Sequence, residues 1–338
     1  MAEQKRKWGD RKDGIWLKDI PAMNRIMPTL MPNRADNEAH ISVDIDAEPL
    51  NAYLAKLNEG RTDDKYTFFH LISAAIGKAF ILRPKMNRFI VGSKMYQRKK
   101  VTVGFTVKKK FNDHAEEALA FFTYDPKETL ESYHKKIMKV IHSTKSYEEK
   151  DTSTDAMDIV TKLPQFLINF VAKFVLWLDK HGWAPQSMIG SDPNHAAIFL
   201  TNLGSIGLPG GYHHLVNWGT NSCFIVVGKK YMKMEYKADG TEDLHEVIPI
   251  GITLDERIAD GYYYSGTIAL VKELLDTAYM GYLDKDFEAA SDNLNTAYYS
   301  VYEESGLSHR IYTDLSLSDR LGMEKQFASL NSLVDTAE

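Results

Sequence analysis

Between residues 39 and 282 the apolar pattern keeps switching between two repeats, and few folds accommodate that. Alternation at every second residue marks a half-buried strand; recurrence at three and four residues marks one face of a helix. Residues 39–46 (AHISVDID) alternate and predict a strand. Residues 47–57 place Leu50, Leu54 and Leu57 on one helical face. Thr67 opens an apolar helix that runs to about Phe80 and stops before Pro84, since the residue ahead of proline is steered out of the helical region. Residues 100–107 form the next strand, and 118–123 its partner. A helix is expected over 126–143, with Pro126 in its first turn and Glu128 close behind. Residues 146–154 are polar and read as a loop. Residues 155–180 read as helical, broken at Pro164. Strands follow at 196–201, 221–227 and 244–254, then a last helix over 261–282. Strands interleaved with helices specify an α/β fold. No internal repeat and no glycine-rich phosphate loop is visible.

A hydrophobic fraction of 44%, with 15 Phe, 18 Tyr and 5 Trp, supplies a sizeable core and excludes disorder of the whole chain. The formal charge of −5 gives no general pull toward nucleic acid or anionic lipid. Cys223 is the one cysteine, so no intramolecular disulfide forms, which suits the cytoplasm. The charged N-terminus has no apolar stretch behind it, unlike a secretory signal. The longest apolar run, 163–178, is interrupted by Gln165, Asn169 and Lys173. It falls short of the ~20 apolar residues of a membrane span. It reads as a buried or interfacial helix, with a membrane-lying one as the alternative. Its stripe of Phe166, Phe170, Phe174 and Trp177 reads as core or subunit interface, with an acyl pocket or partner surface as the alternative.

Three motifs, in order, carry a resemblance. RPKMN at 83–87 closes the long helix, FLTNLGS spans 199–205, and TLDERIADG spans 253–261. Together they resemble the catalytic domain of the dihydrolipoamide acyltransferases of 2-oxo acid dehydrogenase complexes, over roughly residues 15 to 283. The resemblance implies a chloramphenicol acetyltransferase-like two-layer sandwich with a large mixed β-sheet. It implies an acyltransferase-like catalytic domain over 21–283; the polar composition of 1–20 reads as a lead-in, and 284–338, with fewer apolar runs and many acids, as an acidic tail or helical appendage. It also implies a homotrimer or higher homo-oligomer acting on a small-molecule acyl donor and acceptor, with coenzyme A or acyl-coenzyme A as substrate. No lipoyl domain, metal-ligand pattern or nucleic-acid partner is expected on this chain.

The chain departs from the family at its catalytic position. Family members carry Asp-His-Arg-x-x-Asp-Gly, and the histidine takes the proton from a thiol; here Glu256 stands in its place. A carboxylate, with a pKa near 4.3, is weaker by roughly four units as a base toward a thiol near 8.5. Three roles are open to Glu256: an ion pair with Arg257 or Arg25, a general base for a less usual acceptor, or a binding group for an amine or cation. His213 and His214 lie where the family has Thr-Pro. On a strand they would point to opposite faces, and one of them, His213 by alignment, would act as base or pair with Glu256. Thr201 falls at the family's oxyanion-stabilising serine, or is simply a β-branched strand residue. By the same resemblance Asp260 pairs with Arg25 to hold the loop, Asn202 and Gly204 make the turn after the strand, and Gly261 opens the last helix. Arg98, Lys108, Lys109 and Lys110 are candidates for the phosphates of coenzyme A, or else solvated strand ends. The functional expectation is an acyltransferase with an altered base; the alternative is a lapsed oligomeric scaffold of the same fold.

Overall fold

The computed structural model describes residues 9–108, 117–146, 162–185, 192–237 and 239–280. The chain divides into two units, 1–276 and 277–338. The second, save the end of one helix, lies outside the described residues, as do Lys109, Lys110, most of the expected loop at 146–154 and the expected tail 284–338.

Ten strands are described: β1 (Gly14–Trp16), β2 (Glu38–Asp46), β3 (Arg88–Val91), β4 (Lys94–Arg98), β5 (Val101–Lys108), β6 (Glu117–Tyr124), β7 (Ile198–Asn202), β8 (Cys223–Val227), β9 (Tyr231–Tyr236) and β10 (Glu242–Asp255). The helices are α1 (Ala22–Leu30), α2 (Glu48–Leu57), α3 (Phe68–Leu82), α4 (Leu130–Ser146), α5 (Gln165–Lys180) and α6 (Gly261–Met280). A seven-stranded sheet runs β2-β10-β8-β7-β5-β6, with β9 paired to the near end of β10. β7 is parallel to both β5 and β8, and the other pairings are antiparallel. A second sheet runs β1-β4-β3. This is the large mixed sheet with helices that the resemblance implied.

β8 reads CFIVV and is buried throughout, as a strand central to a sheet must be. Tyr133 and Ile137 seat α4 in the core, with Tyr133 against Phe122 and Tyr124 of β6. On α6, Tyr264 and Ile268 face Ile76 and Phe80 of α3 across a small apolar cavity of about 40 Å³.

Three expectations are corrected. The stretch read as a polar lead-in supplies β1, in register with β4 at Gly14 and Arg98. It also supplies Arg11, which is buried yet bound to Asp13 and, at 2.8 Å, to Asp179 of α5. Carboxylates make that burial tolerable, so polarity was a poor guide to exposure. The helix expected from Pro126 begins at Leu130, because Thr129 and Ser132 exchange hydrogen bonds that cap it there. The aromatic stripe of α5 is not core: Phe166 is 70% exposed and Phe170 68%.

Candidate functional site

β7 ends at Thr201 and Asn202. The Asn202 carboxamide oxygen accepts from the Ser205 N–H at 3.1 Å, and the Ser205 hydroxyl donates to the Asn202 carbonyl at 2.7 Å. The resulting 3-10 turn packs so closely that a Cβ on Gly204 would meet the Gly228 carbonyl oxygen at 2.6 Å. Thr201 is half-buried, its hydroxyl 3.4 Å from that of Thr106 on β5.

A loop over 208–222 then crosses the sheet. Glycines let it approach: a Cβ on Gly251 would overlap the Gly211 carbonyl, and one on Gly228 would overlap Gly210. Buried Arg34 pins the loop's far side, donating to the Val216 carbonyl at 2.6 Å and the Gly219 carbonyl at 2.9 Å. Burial pushes Arg34 down to about 10, while Asp255 works against that, so it stays charged. Leu215 is buried and its N–H donates to the Glu38 carboxylate.

The loop lays out its two histidines in a ring stack. Phe199 of β7 stacks on Phe224 of β8 at 4.6 Å, Phe224 on His213 at 4.1 Å, and His213 on His214 at 4.6 Å. The segment is not a strand, so the alternation expected to send the two histidines to opposite faces does not apply. Both line one cleft of about 490 Å³, together with Thr106, Thr201 and Asn202. Its remaining walls are apolar or neutral, and no Asp, Glu, Lys or Arg is among the described lining residues. His213 Nδ1 lies 2.8 Å from the His214 carbonyl oxygen. A carbonyl only accepts, so Nδ1 carries a proton; in the neutral ring the lone pair is then on Nε2, which has no hydrogen-bond partner among the described residues.

The loop after β10 is built differently from expectation. Asp255 is fully buried and receives both arms of Arg257, at 2.8 and 2.7 Å, with Arg34 at 3.9 Å. Tyr264, its phenol held protonated by burial and by Asp255, donates to the Asp255 carbonyl at 2.9 Å. The expected pair of Asp260 with Arg25 is not formed. Asp260 is exposed and accepts from the Tyr263 N–H at 2.8 Å, capping α6, while Arg25 is exposed on α1. The buried carboxylate, Asp255, is the one that needs counter-charge, and it takes Arg257. Glu256 is therefore not paired with Arg257 or Arg25. Its N–H donates to the Asn37 carbonyl at 2.9 Å, and its side chain points to solvent, with no ion pair among the described residues. It does not line the cleft, and it forms no dyad with a histidine among the described residues. A Cβ at Gly261 would meet nothing within 4 Å, so space is not what requires glycine there.

Arg98 is removed from the phosphate-binding candidates. It is buried and donates to the His195 carbonyl and the Thr220 hydroxyl, both at 2.9 Å. Lys108 ends β5. A further group was missed in sequence. His40 lies 3.6 Å from the Glu38 carboxylate and 3.2 Å from the Thr253 hydroxyl, and packs against Tyr212. The two-residue spacing of Glu38 and His40 on a strand puts them on one face, and that signal was available.

No protein-family model matches this sequence, and no curated protein matches it. Solved structures do. A probable dihydrolipoamide acetyltransferase from Listeria monocytogenes superposes over 78% of this chain and 95% of its own, with a TM-score of 0.50 at 13% identity. The cubic core of a pyruvate dehydrogenase multienzyme complex does so over 78% and 94%, with a TM-score of 0.51 at 15% identity. A chloramphenicol acetyltransferase aligns over 78% and 99%, with a TM-score of 0.48 at 13% identity. At such identities the likeness is one of fold: the chain has the mixed-sheet fold of acyltransferase catalytic cores.

Proposed function

We propose that this chain is an acyltransferase that moves an acyl group from a coenzyme A thioester to a small acceptor, with His213 as general base in place of the residue at 256. The observation that carries the reading is the His213 ring: Nδ1 is tied to a backbone carbonyl and Nε2 is left free, in the cleft that Thr201 also lines. In the proposed step Nε2 takes the proton of the acceptor's thiol, hydroxyl or amine as that atom attacks the thioester carbonyl. The tetrahedral oxyanion accepts a hydrogen bond from the Thr201 hydroxyl. Collapse breaks the carbon–sulfur bond, and the departing thiolate takes the proton back from His213. His214 supplies the carbonyl that fixes the tautomer and one face of the stack.

The neutral walls of the cleft suit an acyl chain rather than a phosphate. Lys108, at the end of β5, and Lys109 and Lys110, next to it in sequence, are the groups proposed for the phosphates of coenzyme A. The exposed apolar side chains Met23, Ile26 and Leu30 of α1 lie close in sequence to Met31, whose carbonyl accepts from Arg257. They favour a homo-oligomer with that face at the subunit contact, and a homotrimer in the cytoplasm is the form proposed for it. A lapsed scaffold is less well supported, because Glu256 is not locked to an arginine and the cleft is open.

The test incubates the protein with acetyl-coenzyme A and a panel of thiols, alcohols and amines, following release of free coenzyme A. Expected is acceptor-dependent release that falls by about 10²–10⁴-fold in His213→Asn. No release with any acceptor, or an unchanged rate in His213→Asn, overturns the reading.

A further inference from the structure

The helix α5 carries a surface that the cleft does not use. Phe166, Phe170, Phe174 and Trp177 recur at intervals of four, four and three residues and so share one face. All four are exposed, at 70%, 68%, 49% and 46%. Beyond the helix, Gly182 takes a left-handed φ of +70° and turns the chain so that Trp183, 59% exposed, lies edge-on against Trp177 at 5.4 Å. An apolar aromatic face this long is unusual on a soluble surface unless something covers it.

The charges around it name the partner. Between residues 162 and 183 the basic side chains Lys162, Lys173 and Lys180 are all exposed. Lys173 and Lys180, seven residues apart, run along one flank of the aromatic face. The single acid in the stretch, Asp179, is turned the other way: it is buried against Arg11 at 2.8 Å and His195 at 3.4 Å. That contact anchors the end of α5 while the aromatic face looks outward. A chain of net charge −5 thus presents one helix whose exposed charges are all positive. Lysine is depleted in the apolar heart of protein–protein contacts. By contrast, Phe and Trp seated at the acyl boundary with lysines reaching up to the headgroups is how a helix lies in a bilayer surface. No described helix is long and apolar enough to cross a membrane. We propose that α5 docks the protein, lying flat, onto an anionic phospholipid surface. This rests on exposed side chains and charge alone, and stands apart from the chemistry assigned to the cleft.

The test is co-sedimentation of the full chain with unilamellar vesicles of phosphatidylcholine, or of phosphatidylcholine mixed equally with phosphatidylglycerol. Expected is binding to the anionic vesicles that weakens with added salt. The triple variant Phe166→Ser, Phe170→Ser, Phe174→Ser alters only exposed or solvent-facing positions, and should partition at least about tenfold more weakly. The charge variant Lys173→Glu, Lys180→Glu leaves the apolar face intact and should lose the preference for anionic over zwitterionic vesicles. Light scattering on each variant reports its mass. Absence of binding by the unaltered chain, or binding by both variants equal to that of the unaltered chain, overturns the proposal. So does a triple variant whose mass drops while vesicle binding is unchanged, since a second copy would then be what covers the face.

Discussion

At the scale of single residues, the chemistry turns on which imidazoles are tied and by which nitrogen. His213 donates a hydrogen bond from Nδ1 to a carbonyl, which in the proposed reaction keeps Nε2 for a reactant. His70 is bound the opposite way: its Nδ1 accepts from the Thr67 N–H at 3.0 Å, closing the cap of α3. Burial first, and the neighbouring His134 second, push His70 down to about 4 from its usual 6.5. The unfolded chain therefore takes up a proton between pH 6.5 and 4 that the folded chain refuses, and stability falls as pH drops through that window. The loss is roughly 3 kcal/mol from a shift of this size. Glutamine at this position also closes a capping box. His70→Gln should thus match the unaltered protein at pH 8 and lose less stability by pH 4.5, as read by urea denaturation at each pH. An equally steep fall in the variant would show that His70 is not the titrating group. At Thr201, removing only the hydroxyl with Thr201→Val should lower kcat for acyl transfer by about 10²–10³-fold, while Thr201→Ser should retain most of it. Equal losses in the two would make Thr201 a packing residue.

At the scale of elements, the loop 208–222 is positioned by absence. Gly228 and Gly251 sit beneath it on and beside β8 and β10, and a single methyl group at Gly251 occupies the place of the Gly211 carbonyl. Gly251→Ala should therefore displace the histidines. It should cost about 1–3 kcal/mol in stability and depress acyl transfer further than that loss of folded protein explains. Thermal denaturation with kcat on the folded fraction separates the two, and a stable variant with unaltered kcat would refute the positioning role. The limits of sequence reading show at the same elements. β2, β5 and α2 were legible because each carries a clean apolar period, and β8 and α3 because each is a nearly unbroken apolar run of strand or helix length. The β3–β4 hairpin was overlooked although its signal exists: Gly92 and Ser93 both have positive φ, +57° and +62°, the requirement of a tight two-residue hairpin turn. The histidine loop was read as a strand from the resemblance, which places the family's Thr-Pro pair on one, and only tertiary contacts reveal that Gly228 beside β8 and Gly251 on β10 carry it. The pairing of Asp255 rather than Asp260 was equally hidden, since it depends on which carboxylate is desolvated, and that is decided by the packing of Arg34, Arg257 and Tyr264 around it.

At the scale of the whole molecule, one sheet joins the two halves of the candidate site: Thr201 lies near the end of β7, and the glycines under the His213 loop lie just after the neighbouring β8 and on β10 beyond it. The Glu256 loop stands elsewhere on the surface, held by Asn37, Asp255 and Arg257. A protein assembled through the apolar face of α1 should sediment at three times its chain mass, and Met23→Lys with Ile26→Lys should release single chains. A monomer in the unaltered protein would leave that face unexplained. The most direct measurement of the central claim sets two substitutions side by side in one acetyl-coenzyme A assay, with the acceptor that gives the fastest turnover. The expected result is that Glu256→Gln stays within a few-fold of the unaltered rate while His213→Asn loses about a hundredfold or more. The reverse order, with the glutamine variant inactive and the asparagine variant intact, would contradict it.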